Sequence, residues 1–300
     1  MNIICPVCSN ETQFFLEEQN YSFQECLNCG FFFVNPMPSD EELSKVYSPT
    51  SNYQAHKLKK DYKKEKNYKY IRIFEELKKY TTPNQKVLDV GTSDGEFLYY
   101  AKMAGFIPFG VEPNKTTAEI ANKNGLHVFC GFLSDCNFEK NSFDVLRLGD
   151  VLEHSNNPKK LLYECRTFLN AGGLLIISIP NMDSLWAKST YYLKKYARLP
   201  WSVLTPPHHL LYFSKNNLDL FLKKEGFELV TSWYHRPPTL KYELGSTHLF
   251  GKFKRELSFR NLLMLVLGFA SYIILYVIDY LSTPFKKKDF GMLTIYRKNA

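Results

Sequence analysis

The chain is short of several things that would fix its class at once. Met1-Asn2-Ile3-Ile4 runs straight into a cysteine motif with no secretory signal pattern, so a cytosolic location is expected. No internal repeat or low-complexity tract is evident, which excludes solenoid and linker architectures. No G-x-G-x-x-G fingerprint follows a strand, which argues against a dinucleotide pyrophosphate on a helix N-terminus. The longest charge-free apolar run, Leu262–Ile278, is 17 residues, against about 20 for one bilayer crossing. What is present supports a folded protein. The chain has 300 residues, 45% of them hydrophobic, and a net charge of +8. That is long enough for one large domain with attachments, and only moderately basic.

Residues 87–95 read Val-Leu-Asp-Val-Gly-Thr-Ser-Asp-Gly, and Glu112 stands 21 positions after Gly91, at the end of the next apolar run. A buried strand, a glycine turn and a helix are followed by a second strand ending in a carboxylate. This order builds an adenosine site, because glycine lets backbone approach a ligand and the carboxylate accepts from ribose hydroxyls. Asp89 and Asp94 place negative charge at the turn. They repel phosphate and suit a cationic ligand end such as an ammonium or a sulfonium.

Seven cysteines divide into four and three. Cys5-x-x-Cys8 and Cys26-x-x-Cys29 are two knuckles separated by 17 residues, the spacing of a four-cysteine zinc ribbon. Four thiolates leave no open position for substrate, so the zinc is structural. A ribbon of about 40 residues takes its folding energy from the metal. The alternative is two disulfides or free thiols, which a reducing compartment disfavours for the first. Phe31-Phe32-Phe33-Val34 is apolar, which suits packing and not nucleic acid. Ser39 or Asp40 caps a helix running toward Tyr47.

Strands at 86–90, 107–111, 126–130, 143–148 and 173–179 alternate with helices at 95–104, 114–124 and 158–170, which implies a parallel sheet covered on both faces. A helix at 216–224 with Asn216 near its cap, a sixth strand at 227–233 and a seventh at 293–297 complete the pattern. Residues 56–80 read as a helix or helix pair whose lysines form a solvated face or meet an anionic surface.

Phe143-Asp144-Val145-Leu146, then Gly149-Asp150-Val151-Leu152-Glu153-His154, Pro158, Gly172-Gly173 and Pro180-Asn181 follow the turn in order. Together with the turn and the ribbon, this resembles the class I S-adenosylmethionine-dependent methyltransferases, in the branch with an N-terminal zinc ribbon that serves sugar and surface-glycan biosynthesis. The resemblance covers roughly residues 70–235 and the last ten. It implies an α/β fold: a seven-stranded Rossmann-like sheet, with the four-cysteine ribbon before it and an apolar helical insertion before the last strand. The seventh strand would lie between the fifth and sixth. By the same resemblance Asp89, Gly91, Ser93 and Gly95 shape the methionine side of the S-adenosylmethionine site. Glu112 holds the ribose, and Asp150 lies beneath the sulfonium. The family usually has glycine at the Ser93 position. The expected domains are a ribbon over 1–40, a helical linker over 41–80, and a methyltransferase domain over 81–300 carrying insertions at 184–207 and 240–289.

The aromatic and lysine-rich insertion 184–207 reads as a helical cover over the core, a substrate lid or a bilayer-interface contact. The apolar stretch 262–278 lies between two strands of one sheet, so a full crossing would strand the last residues across the membrane. It reads as a helix or hairpin dipping into one leaflet beside Lys286-Lys287-Lys288, or as a helix packed on protein. If the acceptor is a hydroxyl, a base near neutrality is needed, and histidine suits it. His209 is the preferred base, His208 the second, and His154 positions substrate or loop. The branch's sugar C-methyltransferases usually have Glu-His where this chain has His208-His209, and a further C-terminal domain where this chain is apolar. The expectation is O-methylation of a saccharide or lipid-linked glycan precursor at the cytoplasmic face of the membrane. The alternatives are a polyprenylated quinone-type phenol as acceptor, or an inactive RNA- or protein-binding module.

Overall fold

The computed structural model describes residues 3–18, 20–46, 66–197, 203–235 and 290–299, together with helical residues 266, 270, 273–274, 277–278 and 281. The chain divides into two compact units. One comprises residues 1–35, 180–217 and 233–292, and the other residues 36–179, 218–232 and 293–300.

The first unit begins with β1 (Thr12–Glu18), β2 (Tyr21–Cys26) and β3 (Phe32–Val34), an antiparallel meander. Phe31 to Val34 are all buried, as their run of apolar residues requires. The sheet gains a fourth strand that the sequence pattern did not reveal. β9 (Leu211–Tyr212) pairs antiparallel with β3 through Phe32–Tyr212 and Phe33–Leu211. The insertion 184–207 supplies α6 (Leu185–Ala197), and its aromatics meet the ribbon. Tyr191 stacks on Phe15 with ring centroids 5.4 Å apart and meets Phe32 edge-on at 5.8 Å. Lys194 pairs with Glu18. This insertion is therefore a cover for the ribbon, and Trp186 is buried within it. Tyr192 and Tyr196 remain exposed.

The second unit begins with α1 (Asp40–Val46). Its cap is Ser39: the hydroxyl accepts from the Glu42 amide at 3.3 Å while the Glu42 carboxylate accepts from the Ser39 amide at 2.8 Å. This reciprocal pair satisfies two orphan donors of the first turn. Residues 47–65, which hold the start of the expected 56–80 helix, lie outside the described residues. α2 (Tyr68–Leu77) follows, capped by the Asn67 side chain.

Seven strands then form the main sheet: β4 (Lys86–Val90), β5 (Ile107–Glu112), β6 (His127–Cys130), β7 (Phe143–Gly149), β8 (Leu169–Pro180), β10 (Phe227–His235) and β11 (Gly291–Lys298). Their order is β10-β11-β8-β7-β4-β5-β6, so the last strand in sequence lies between the fifth and sixth of the sheet, as expected. The pairs β4–β5, β4–β7, β5–β6 and β7–β8 are parallel. The crossover helices are α3 (Glu96–Met103), α4 (Lys115–Lys123) and α5 (Pro158–Phe168). Asn114 and Asn157 cap the last two through their side-chain oxygens. α7 (Lys215–Lys224) starts one residue before Asn216. Its cap is Ser214, whose hydroxyl accepts from the Asn217 amide.

The core is the strand interiors, with Val87, Leu88, Val145, Leu146, Leu175 and Ile177 fully buried. Gly110 sets how closely α3 lies on β5. A Cβ there would meet Leu98 Cδ1 and Thr92 Cγ2 at 2.8 Å and Val128 Cγ2 at 3.0 Å. Its bare backbone lets α3, and the turn that begins it, settle onto the sheet.

Candidate active site

The turn after β4 carries three left-handed residues in five: Gly91 (φ 72°), Ser93 (φ 57°) and Gly95 (φ 86°). Two have a second reason to be glycine. A Cβ at Gly91 would stand 2.6 Å from Val151 Cγ2, and one at Gly95 would stand 2.4 Å from Leu126 Cδ1. The turn is thus held between the loop after β7 and the start of β6. Ser93 takes a conformation that costs an L-residue about 1–2 kcal/mol. A charge-assisted bond offsets it, since the Ser93 amide donates to Glu112 Oε2 at 2.7 Å.

Glu112 accepts a second amide, from Asn114, on Oε1 at 2.9 Å, and it is only 2% exposed. Its carboxylate ties the ends of β4 and β5 together.

Asp89 occupies a different place from the other carboxylates. It is fully buried, and its Oδ1 accepts from Arg147 Nη1 at 2.7 Å. Residues 89 and 147 are direct partners across the parallel β4–β7 pair. Burial pushes the Asp89 carboxyl above its usual range, and the Arg147 guanidinium restrains that rise. Arg147 was not anticipated from the sequence. Its guanidinium carbon lies 4.4 Å from the Phe97 ring centroid and 5.3 Å from that of Tyr70. It also fills the space a Cβ at Gly149 would need, 1.9 Å from Nη2. An arginine two residues before a glycine on one strand face was the available signal.

The loop after β7 starts at Asp150, itself left-handed at φ 56°. Asp150 Oδ1 accepts from Ser178 Oγ at 3.3 Å, and Ser178 Oγ accepts from Lys69 Nζ at 2.9 Å. Lys69 Nζ also lies 3.9 Å from Asp150 Oδ2. Next, Leu152–His154 form a single 3-10 turn. Glu153 is 1% exposed, and neither carboxylate oxygen has a hydrogen-bond partner among the described residues. Burial pushes its pKa well above the usual carboxylate range, and the Asp150 charge adds to the shift.

A cavity of about 960 Å³ opens at the carboxyl ends of these strands. Gly91, Ser93, Glu112, Asp150 and His154 line it, whereas Asp89 and Gly95 support it from beneath the lining. Two further stretches line it that the sequence did not single out. Gly131–Ser134 follow β6, and Asp40, Glu41, Leu43 and Ser44 come from α1. The α1 stretch is held by Asn156, which donates to Pro38 O at 3.1 Å and Asp40 Oδ1 at 2.7 Å. The residues fit an adenosyl amino acid. The turn has no room for side chains at Gly91 and Gly95, a carboxylate stands at the second strand tip, and buried Ser93 Oγ and Arg147 Nε have no partner among the described residues.

His208 and His209 belong to the first unit, in a turn whose two amides both donate to Thr205 O, at 2.8 and 3.1 Å. Burial lowers the His208 pKa, so the ring is neutral near pH 7. The His209 carbonyl accepts from Tyr212 Oη at 2.8 Å. The same unit gathers Cys5, Cys8, Cys26 and Cys29, with their sulfurs all within 4.8 Å of one another. Cys5 Sγ is 3.8 Å from Cys29 Sγ, and Cys8 Sγ is 3.3 Å from Cys26 Sγ. A Zn–S bond of about 2.3 Å places tetrahedral sulfurs about 3.8 Å apart, so the four thiols fit that ion. Hydrogen bonding from Cys29 holds the Cys5 thiol down at about 5. Cys130, Cys136 and Cys165 are free thiols outside this cluster.

Glu153 generates a pH prediction. Its folded pKa lies above its unfolded value of about 4.3, so the folded state holds a proton that the unfolded state releases. Stability therefore falls as pH rises above that value. Glu153→Gln removes this loss. Urea unfolding should find the variant more stable than wild type at pH 8 and nearly equal at pH 4. Equal or lower stability at pH 8 would refute the assignment.

Comparison with known proteins agrees with this geometry. Residues 62–232, more than half of the chain, match the family model described as "Methyltransferase domain". Over 119 residues the chain is 35% identical to an uncharacterized protein of Methanocaldococcus jannaschii, covering 40% of this chain and 56% of that one. It is 30% identical over 118 residues to the sarcosine/dimethylglycine N-methyltransferase of Aphanothece halophytica, covering 36% and 42%. With the ubiquinone biosynthesis O-methyltransferase of Haemophilus ducreyi it shares 33% over 110 residues, covering 32% and 46%. The matched part spans about half the length of these relatives. Among solved structures, the YcgJ protein of Bacillus subtilis superposes with a TM-score of 0.51 at 12% identity, covering 78% of this chain and 99% of that one, a likeness of fold. By its sheet order, its cavity and its family match, the chain belongs to the methyltransferase-domain family of class I S-adenosylmethionine-dependent methyltransferases.

Proposed function

We propose that the protein O-methylates a saccharide or lipid-linked glycan precursor at the cytoplasmic face of a membrane, with a structural zinc in its ribbon. The observation that carries the cofactor half of this reading is the Glu112 carboxylate at the cavity wall, held by two backbone amides beside the Gly91–Gly95 turn. When bound, S-adenosylmethionine supplies a methyl carbon already activated by its sulfonium. The chain's own part is to align the acceptor and exclude water. Asp150, on the loop at the cavity, offers negative charge toward a cationic centre. A histidine takes the acceptor's hydroxyl proton as the oxygen gains the methyl group. His154 lines the cavity, and His209 and His208 are the two that the sequence puts forward.

The membrane half rests on the apolar stretch. No helix among the described residues is long and apolar enough to cross a bilayer. Most of 240–289 lies outside the described residues. Those described between 266 and 281 are helical, apolar and exposed: Val266, Ala270, Ile273, Ile274, Val277, Ile278 and Leu281. Lys286-Lys287-Lys288 follow this stretch in the sequence. We read the uncharged 262–278 stretch as a helix or hairpin that dips into one leaflet while the lysines meet anionic headgroups. A ubiquinone-biosynthesis O-methyltransferase among the relatives supports the second reading, a polyprenylated phenol as acceptor, which makes the same use of a lipid surface.

Three outcomes test this reading. Calorimetry should show S-adenosylhomocysteine binding to the full chain, weakened at least tenfold by Glu112→Ala. No binding to wild type would end the enzymatic assignment. Metal analysis should find one zinc per chain, lost together with a lowered melting temperature when Cys26 is exchanged for serine; a metal-free, equally stable protein would remove the zinc. The protein should float with phosphatidylglycerol vesicles and not with phosphatidylcholine vesicles, and should transfer labelled methyl to lipid-linked saccharide. Transfer only to a polyprenylated phenol would favour the second acceptor.

A further inference from the structure

Arg147 is a buried cation on the cavity wall with donors to spare. The residue is 4% exposed. Its Nη1 is taken by Asp89 Oδ1 at 2.7 Å. Its Nη2 lies over the Cα of Gly149, where any Cβ would stand 1.9 Å away. Its Nε has no hydrogen-bond partner among the described residues. A guanidinium carries five N–H donors in a planar fork, and one aspartate oxygen satisfies few of them. Leaving the rest unpaired in a dry site is costly.

The orientation is fixed from every side. Phe97 and Tyr70 face the guanidinium at 4.4 and 5.3 Å, Asp89 holds one edge, and Gly149 opens the slot. The slot lies at the carboxyl end of β7, next to the Gly91 turn, where Tyr70, Arg147 and Gly149 all line the cavity. The other lysine or arginine lining it, Lys160, has a side chain 63% exposed and an ion pair with Glu164 at 3.9 Å. Arg147 is thus the buried positive charge that the cavity presents. Asp94, Glu96, Glu112 and Asp150, with Asp40, Glu41 and Glu164, otherwise make its polar lining acidic. Such an arrangement matches a zwitterion, with carboxylates for the cationic centre and one guanidinium for an anion.

We infer that Arg147, seated over Gly149 and aimed by Asp89, binds the carboxylate at the amino-acid end of the cofactor and so selects the complete amino acid. The inference rests on the cofactor reading, and its test separates the two. It also assigns Asp89 a positioning role: it holds the arginine and does not itself touch the ligand.

The experiment is a binding cycle by calorimetry on the full chain, using S-adenosylmethionine and its decarboxylated form, which keeps the sulfonium and the ammonium. Wild type should bind the complete cofactor ~10–100-fold more tightly than the decarboxylated one, the scale of one or two charge-assisted hydrogen bonds. Arg147→Gln should lose that preference, binding both equally, with the decarboxylated form within about twofold of its wild-type affinity. Gly149→Ala keeps both charges of the ion pair but closes the slot, and should lose the preference in the same way. Asp89→Asn with Arg147→Gln replaces the pair by neutral groups. It reads the same quantity if Arg147→Gln alone fails to fold, as circular dichroism would show. A wild type that does not discriminate, or variants that weaken both ligands equally, would overturn the inference while leaving the cofactor reading standing. A wild type that binds neither ligand would overturn both.

Discussion

One buried ion pair organises the catalytic end of the sheet. Asp89 and Arg147 face each other on adjacent central strands, where neither can reach bulk water. Two isolated charges would not survive there, and removing one partner from a buried pair typically costs about 3–5 kcal/mol. The pair therefore fixes the register of β4 against β7 at the point where both strands leave the sheet. Gly149 exists to admit the guanidinium, and Phe97 and Tyr70 bring the faces of α3 and α2 onto it. Four elements converge on a single planar cation.

The pair also changes the electrostatics that the bare sequence suggests. Asp89 looks like a free carboxylate at a ligand turn, ready for a positive group. Its charge is instead spent on Arg147, beneath the cavity lining. The acidic character of the cavity comes from Asp40, Glu41, Asp94, Glu96, Glu112, Asp150 and Glu164, and of these Glu112 is also structural. Holding two amides from two strand ends, Glu112 compensates the left-handed Ser93 and keeps its own orientation. Site and scaffold share the same atoms here, so mutating the carboxylates disturbs local order as well as ligand affinity.

The ribbon unit follows a different logic. Its sheet is small, and its core is made of aromatic rings: Phe31 against Phe33 and Phe213, and Phe15 against Tyr191. Segments distant in sequence complete it, through β9 on the sheet edge and α6 over β1. The lysine-aromatic stretch 184–207 carries amphipathic residues because its inner rings pack on phenylalanines while Tyr192, Tyr196 and Lys195 face water. Lys195 sits over the rings of Tyr191 and Tyr196.

Features that depend on short-range pattern are legible from the residues alone. Strand and helix alternation, the glycine turn and the two cysteine knuckles are each written in a few consecutive residues, and the main sheet follows from them. Tertiary structure decided what depends on pairing between distant segments. That Arg147 meets Asp89, that α1 and Gly131–Ser134 reach one cavity, and that Leu211–Tyr212 joins the ribbon are not local facts. Strands of two residues carry no periodicity, and an arginine within an apolar run does not announce its partner 58 positions away. A buried charge is tolerated only where the fold delivers its counter-charge, so its meaning could be read only once the strands were side by side.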